Sequence, residues 1–434
     1  LWTPTGYFNA SPGGSTLVGW HVNNGVDKAS DFFAADRFSD RYYRPDITGS
    51  VLQYADETVA VNEANKGRVV HPLVAIHNAL PPVVSLIAPS DGEQIESNTV
   101  KITALIRSPK GTQVDELKTL VDGRPVENNA RGIIIKPKDE AGDVTNLMVT
   151  IPDTKSETYR ISVLARNENG WSEPATVRVT LKSAESFVVK PKLYVLAVGI
   201  SKYDDPALTL KYPAKDALDF ASTLKKQGDV LYREVIVKTL VDKQATKDEI
   251  LDGLDWIQQE TTAKDVAMVF FAGHGVNDQN GIFYFLPVDA DTQRLKRSCV
   301  PFTDIKNTVS TLAGKALFFV DTCHSGNVMG ARRGTADIAG IVNELARTEN
   351  GVVVFASSTG SQYSQESDQW GNGAFTKALV EGLGGKADYS GTGKITVNML
   401  DLYLSERVKA LTNGKQTPTT TKPENVPDFP IVAK

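Results

Sequence analysis

The chain is 434 residues long, 41% hydrophobic and 23% charged, with a net charge of -5. That length calls for two or three domains, and the acidic balance excludes the basic field that would recruit nucleic acid or an acidic membrane surface. No apolar run reaches the roughly 20 residues of a membrane span, and the opening "LWTPTGYFNA" lacks the charged start and apolar core of a signal peptide.

Residues 1–80 are rich in Gly, Asn, Asp and aromatics, as in "SPGGSTLVGWHVNNG". They read as an irregular segment whose aromatics, among them Trp2, Phe8, Trp20, Phe33, Phe38 and Tyr42, serve as packing anchors. Pro81 and Pro82 mark a boundary. From there to residue 184, short alternating runs ("VVSLIAP", "TVKITALIRS", "DELKTLVDGRP", "GIIIKP", "TNLMVTIP", "TYRISVLARN", "ATVRVTLK") are separated by Gly, Pro and Asn. Seven such strands predict an immunoglobulin-like β-sandwich, with Trp171 plugging one end.

From about residue 190 the rhythm changes. The apolar strands "KLYVLAVGI", "REVIVKTLVD", "DVAMVFFAG", "KALFFVD" and "GVVVFASS" alternate with helices "PAKDALDFASTLKKQG", "TKDEILDGLDWIQQET", "TADIAGIVNELARTE" and "GAFTKALVEGL". Buried strands alternating with amphipathic helices predict an α/β domain over 190–415 with a mostly parallel sheet. The tail, 416–434, carries four prolines in "QTPTTTKPENVPDFP" and reads as extended.

Ligands of such sheets bind beyond the carboxyl ends of the strands. Two strands end there in reactive residues, "AMVFFAGHG" at His274 and "ALFFVDTCHSG" at Cys323, 49 residues apart. A thiol needs a base or another pKa-lowering neighbour to act as a nucleophile near neutral pH, and an imidazole is suited to the task. Singly, each has a bland reading, a small buried Cys or a loop His. Together, with small residues on both sides, they point to a nucleophile and its base. His324 is poorly placed for that role, because successive side chains of an extended segment face opposite ways, whereas Asp321 shares the face of Cys323. No CxxC or HxxxH spacing supports a metal among Cys299, Cys323, His274 and His324. Two cysteines make no disulfide framework, and a reducing, cytoplasmic setting is expected.

At these residues the chain resembles the caspase-like cysteine peptidases, most of all their metacaspase and bacterial branch, in which a His about fifty residues ahead of the Cys is usual. The likeness runs from "YVLAVGISKYDD" through "FFAGHG" and "VDTCHSG" to "GAFTKALVEGL". It implies His274 as general base, Cys323 as nucleophile, and the N–H groups of Gly275 and Cys323 as oxyanion hole. It also implies that Asp321, two residues before the nucleophile, lines an acidic pocket for a P1 Arg or Lys. "YPAKDA" resembles the stretch that supplies the second pocket carboxylate, here Asp216. Pro213 replaces a small Cys of that stretch and Ala272 replaces the Ser before "GHG", so the resemblance does not fix pocket depth.

No cofactor is expected. Asp289 and Asp304 match part of the calcium site of many metacaspases, but Gly330 stands where an acidic ligand belongs, leaving calcium without support. Residues 1–80 resemble the stretch that follows WD-type repeats in bacterial fusions with caspase-like domains, implying the C-terminal part of a larger sensor–protease. The expected activity is cleavage of protein substrates after Arg or Lys under regulated activation, with a regulatory protein partner on the N-terminal or sandwich region. Arg332 and Arg333 in "GNVMGARRGTADIAG" are the self-processing candidates, with "RLKR" (294–297) second. The rival is an inactive caspase-fold scaffold.

Overall fold

Val100, Ile102, Ala104 and Ile106 are buried in turn along Thr99–Arg107, the period of a strand with one face on a core. The structure is a computed structural model. It describes residues 1–434 except 28, 67–73, 127–141, 153–157, 183–189, 279–280, 325–337, 360–361 and 363, with the backbone alone at 110, 323 and 324. Two compact units result, 1–151 with 156–184, and 152–155 with 185–434.

In the first unit, Thr99–Arg107 is the centre of a three-stranded antiparallel sheet with Val83–Ala88 and Asp143–Thr150. A second sheet is ordered Glu93–Ile95, Ala175–Leu181, Thr158–Asn167, Val114–Val121, Arg124–Pro125. Ile102 and Leu147 of the first sheet share a buried cluster with Ile161, Val163 and Val179 of the second, which makes a β-sandwich. The expected strand "GIIIKP" lies outside the described residues. Trp171 is only half-buried, its ring beneath the cations of Lys118 and Arg166, so it does not plug the sandwich.

Residues 1–80 are less irregular than their composition predicts. Gly19–Val22 and Asp31–Ala34 form a hairpin. The short helix Ser39–Tyr42 follows, then Pro45–Tyr54 with Pro in its first turn and Glu57–Ala64 capped by Asp56, whose carboxylate accepts the Val59 N–H. The two longer helices bury few apolar anchors, Ile47 and Ala60, so no apolar stripe shows in the sequence. Phe8, Phe33, Phe38 and Tyr42 gather around Ile47 in one core, as anchors should.

The second unit is built on a sheet of β1 (Lys192–Gly199), β2 (Glu234–Val241), β3 (Val266–Asn277), β4 (Lys315–His324), β5 (Val352–Ala356) and β6 (Thr419–Thr421), in the order β2-β1-β3-β4-β5-β6. All neighbours are parallel except β5 and β6. The core strands are apolar on both faces because helices cover both. Met268 and Phe270 of β3 and Leu317 and Phe319 of β4 pack with Ala217, Phe220 and Leu224 of helix α1 (Pro213–Lys225). The alternate residues Val269, Phe271, Phe318 and Val320 pack on the other side with Ile250, Leu254 and Ile257 of α2 (Lys247–Glu260). Also on that side are α3 (Phe302–Thr311) and α4 (Ile338–Leu345), while α5 (Ala374–Glu381) and α6 (Val397–Thr412) join the α1 side. Each fully buried Phe or Leu contributes about 1.5–3 kcal/mol, so the layers hold the strand ends rigidly. The tail is extended and built in: β6 pairs with β5, and Pro430–Ala433 pairs with Lys394–Thr396.

Candidate active site

Parallel pairing brings the carboxyl ends of β1, β3 and β4 to one edge. In the β3–β4 register, His274 stands opposite Cys323, Ala272 opposite Asp321, and Gly275 opposite His324. Gly273 precedes the histidine at φ 151°, a conformation open mainly to glycine. A Cβ there would also lie 2.8 Å from the Tyr203 hydroxyl oxygen. Two independent constraints therefore fix glycine before His274.

His274 is 3% exposed. Its backbone N–H donates to the Tyr203 hydroxyl at 2.9 Å, and its ring lies 5.3 Å from the Tyr203 ring. The imidazole Nε2 lies 2.9 Å from the Leu208 carbonyl oxygen. A carbonyl only accepts, so Nε2 carries the proton and Nδ1 keeps the lone pair. Nδ1 is buried and has no partner among the described residues. Burial pushes the imidazole below its ordinary pKa, partly offset by the bond to Leu208, which keeps it neutral and basic near pH 7. The loop that supplies Tyr203 and Leu208 leaves β1 and is pinned by Asp242, whose Oδ1 accepts the N–H groups of Ser201 and Lys202 at 2.8 and 2.9 Å. The Leu208 carbonyl orients the histidine.

Gly275 faces Phe285 in an antiparallel pair. The neighbouring bond runs from Leu286 N–H to the His274 carbonyl, so Gly275 exchanges no hydrogen bond with Phe285 and its N–H is on the side of β4. A Cβ on Gly275 would strike the Phe283 ring at 2.3 Å.

Asp216 and Asp321 are 2% and 6% exposed. Asp216 accepts from Asn372 Nδ2 at 2.9 Å and from the Gly373 N–H at 3.2 Å. Asp321 accepts from Thr376 Oγ1 at 3.2 Å and also from Ser364 and Ser357. An atom placed at the missing Cβ of Gly373 would be 3.1 Å from Oδ2 of each acid, so the two carboxyls converge. Burial, reinforced by the charge of Asp321, pushes Asp216 up to about 8 against the bonds from Asn372 and Gly373. Burial likewise raises Asp321, against its three hydroxyl donors. Two acids so placed favour holding a proton, because each carboxylate's charge opposes ionisation of the other. Glu366 is a third acid of the group, half-buried, raised by burial, with Lys211 and Tyr212 N–H groups on its carboxylate and the Asp321 charge nearby.

Four contributors are invisible to motif reading: the Leu208 carbonyl, the Tyr203 hydroxyl, Asn372 and Glu366. A carbonyl has no sequence signal; the others sit in "SKYDD" and "QESDQWGNG", beside residues that do carry one. Cys299 is fully buried and its thiol is pushed up to about 11 by burial, the packing role of a small hydrophobe. Asp289 is exposed and Asp304 half-buried, and among the described residues no three His, Cys, Asp or Glu side chains gather for a metal. Arg332 and Arg333 lie outside the described residues, as do the side chains of Cys323 and His324.

A mostly parallel sheet between helix layers, with a histidine and a cysteine paired at its carboxyl edge, defines a caspase-like α/β domain. The caspase-domain model of the C14 peptidases matches residues 192–429, and the chain belongs to that family. Similar solved structures include a protein from Geobacter sulfurreducens (19% identity, covering 54% of this chain and 94% of that one, TM-score 0.38). Caspase-1 from Spodoptera frugiperda is 13% identical over 55% of this chain and 92% of its own, with TM-score 0.36. A CARDB domain from Pyrococcus furiosus is 15% identical over 24% of this chain and 95% of its own, with TM-score 0.17. No curated protein matches the chain.

Proposed function

We propose that the second unit is a cysteine endopeptidase acting through His274 and Cys323 and cleaving protein chains after Arg or Lys. The observation that carries the reading is the histidine: Nε2 committed to Leu208, Nδ1 buried with no described partner, and a backbone position opposite Cys323. In this scheme Nδ1 takes the Sγ proton and the thiolate adds to the scissile carbonyl carbon. The oxyanion is met by the N–H groups of Gly275 and Cys323. The C–N bond then breaks as the imidazolium protonates the leaving amine, and water hydrolyses the thioester to regenerate the thiol.

The convergent Asp216 and Asp321, with Glu366 beside them, form the P1 pocket, in which a buried carboxylate pair selects a cation by charge. A scaffold has no use for a neutral buried imidazole beside a cysteine, nor for two buried acids that converge on one gap. Peptide-library cleavage by wild type and Cys323→Ala tests the reading; equal activity in both would defeat it, and cleavage after Asp would defeat the pocket. Self-cleavage after Arg332 or Arg333 follows from the same specificity, since nine residues of chain reach at most roughly 30 Å. Intact mass of the activated enzyme and of Arg332→Ala/Arg333→Ala decides that point, an uncut active wild type excluding it as a requirement.

A further inference from the structure

Gly373 has φ -63° and ψ 147°, an extended conformation open to any L-residue. Its backbone gives no reason for glycine. Space does: a Cβ would lie 3.1 Å from Oδ2 of Asp216, on α1, and 3.1 Å from Oδ2 of Asp321, on β4, with the next heavy atom, Asp321 Cγ, at 4.0 Å. Among the described residues, two carboxylate oxygens from separate elements thus converge on the position that a Cβ of residue 373 would take.

Asn372 precedes it and is 6% exposed. Its Nδ2 donates to Oδ1 of Asp216 at 2.9 Å and to Oδ2 of Asp219 at 2.8 Å. Both amide protons are therefore committed to acids of α1; Asp216 is held through Oδ1, while its Oδ2, which also accepts the Gly373 N–H at 3.2 Å, borders the gap. The other charges around the group are the Asp219–Lys215 pair on α1, Glu366 across the short hairpin from Gly373, and Lys211, which pairs with Asp368.

We propose that Asn372 and Gly373 set the preference for a basic P1 residue: Gly373 by leaving room between Asp216 and Asp321 for its cationic head, and Asn372 by holding Asp216 aimed at that room. Asn372 is a positioning residue, acting through Asp216. The inference rests on the P1 reading above.

The test uses the full chain, fluorogenic peptides ending in Arg or Lys, and alkylation of Cys323 by iodoacetamide as a readout indifferent to P1. Gly373→Ala should raise KM for both peptides by about tenfold or more, the equivalent of about 1.4 kcal/mol, with alkylation unchanged. Asn372→Leu removes a bond that lowers the Asp216 pKa. A P1 cation needs Asp216 ionised, so the acid limb of kcat/KM should move to higher pH. A third measurement needs no variant: butylguanidine should inhibit wild type competitively, and its N,N-dimethylated form should not.

Wild-type KM in Gly373→Ala, or equal inhibition by the two guanidines, overturns the role of Gly373. An unmoved acid limb in Asn372→Leu overturns that of Asn372. A wild type indifferent to Arg and Lys overturns the P1 reading itself, and this proposal with it.

Discussion

His274 and Cys323 occupy paired positions on neighbouring parallel strands, whose backbones run about 4.8 Å apart. The proposed nucleophile and its proposed base are therefore placed by the same hydrogen-bonded ladder that builds the core. In the proposed mechanism they act as a unit. Cys323→Ala and His274→Ala should each lower kcat on the order of a thousandfold or more, and the double variant should lose little beyond either. His324→Ala should keep most activity. Single-turnover kinetics on a peptide ending in Arg gives the comparison, and a fully active His274→Ala would end the assignment.

Tyr203 bears on the same histidine from behind. Its hydroxyl accepts the buried His274 N–H, and Tyr203→Phe strands that donor at a cost of about 1–3 kcal/mol. Because the bond fixes the base rather than the substrate, kcat should fall by about tenfold to a hundredfold with KM little changed. Denaturant melts and steady-state kinetics on the same preparation separate the two effects. A melt shift with unchanged kcat would leave Tyr203 a purely structural role.

The strands of the second unit were legible because they are continuous apolar runs, and α1 and α2 because Pro213 and Thr246 mark their starts. Cys323 and His274 were legible because their types are rare and their positions end such runs. Other parts lay beyond a motif-led reading. Helix α6 buries Val397, Leu400, Leu404 and Val408 at helical spacing, a signal present in the sequence but attached to no motif. The Leu208 carbonyl has no side-chain identity to read. Asn372 and Glu366 reach the site only through a hairpin pairing residues 366–367 with 372–373, a relation that tertiary packing creates. The helices of residues 45–64 were hidden for a different reason: each buries isolated anchors and draws its stability from the aromatic core around it.

The two cysteines should separate cleanly by reactivity. Cys299 is fully buried beside Ser298, with its thiol pushed up to about 11 by burial, so it offers almost no thiolate at pH 7. Native protein treated with iodoacetamide should take one label, at Cys323, and a second only after unfolding. Peptide mapping checks this. Labelling of Cys299 at a comparable rate in native protein would contradict its burial.

Asp216 links the proposed P1 pocket to stability. In the unfolded chain its carboxyl has the ordinary pKa of 3.8, whereas in the fold burial and the Asp321 charge raise it to about 8. The folded state therefore binds the proton more tightly, and the stability this confers is complete below pH 3.8 and is lost as pH rises through about 8. In Asp216→Asn the amide oxygen can still accept from Asn372 and Gly373, and its NH2 can donate toward Asp321, so packing is kept while the ionisation penalty is removed. The variant should melt at a higher temperature than wild type, with the gap small at pH 5 and largest above pH 8. It should also cleave after Arg more weakly, by about 2–5 kcal/mol if the pocket reading holds, because one partner of a buried charge pair is gone. Thermal melts across pH 5 to 9, on protein kept uncleaved by Cys323→Ala, isolate the stability effect. A gap that shrinks as pH rises would show that Asp216 is ionised in the fold at neutral pH, and the acid pair would then have to be held by a cation or a donor rather than by a shared proton.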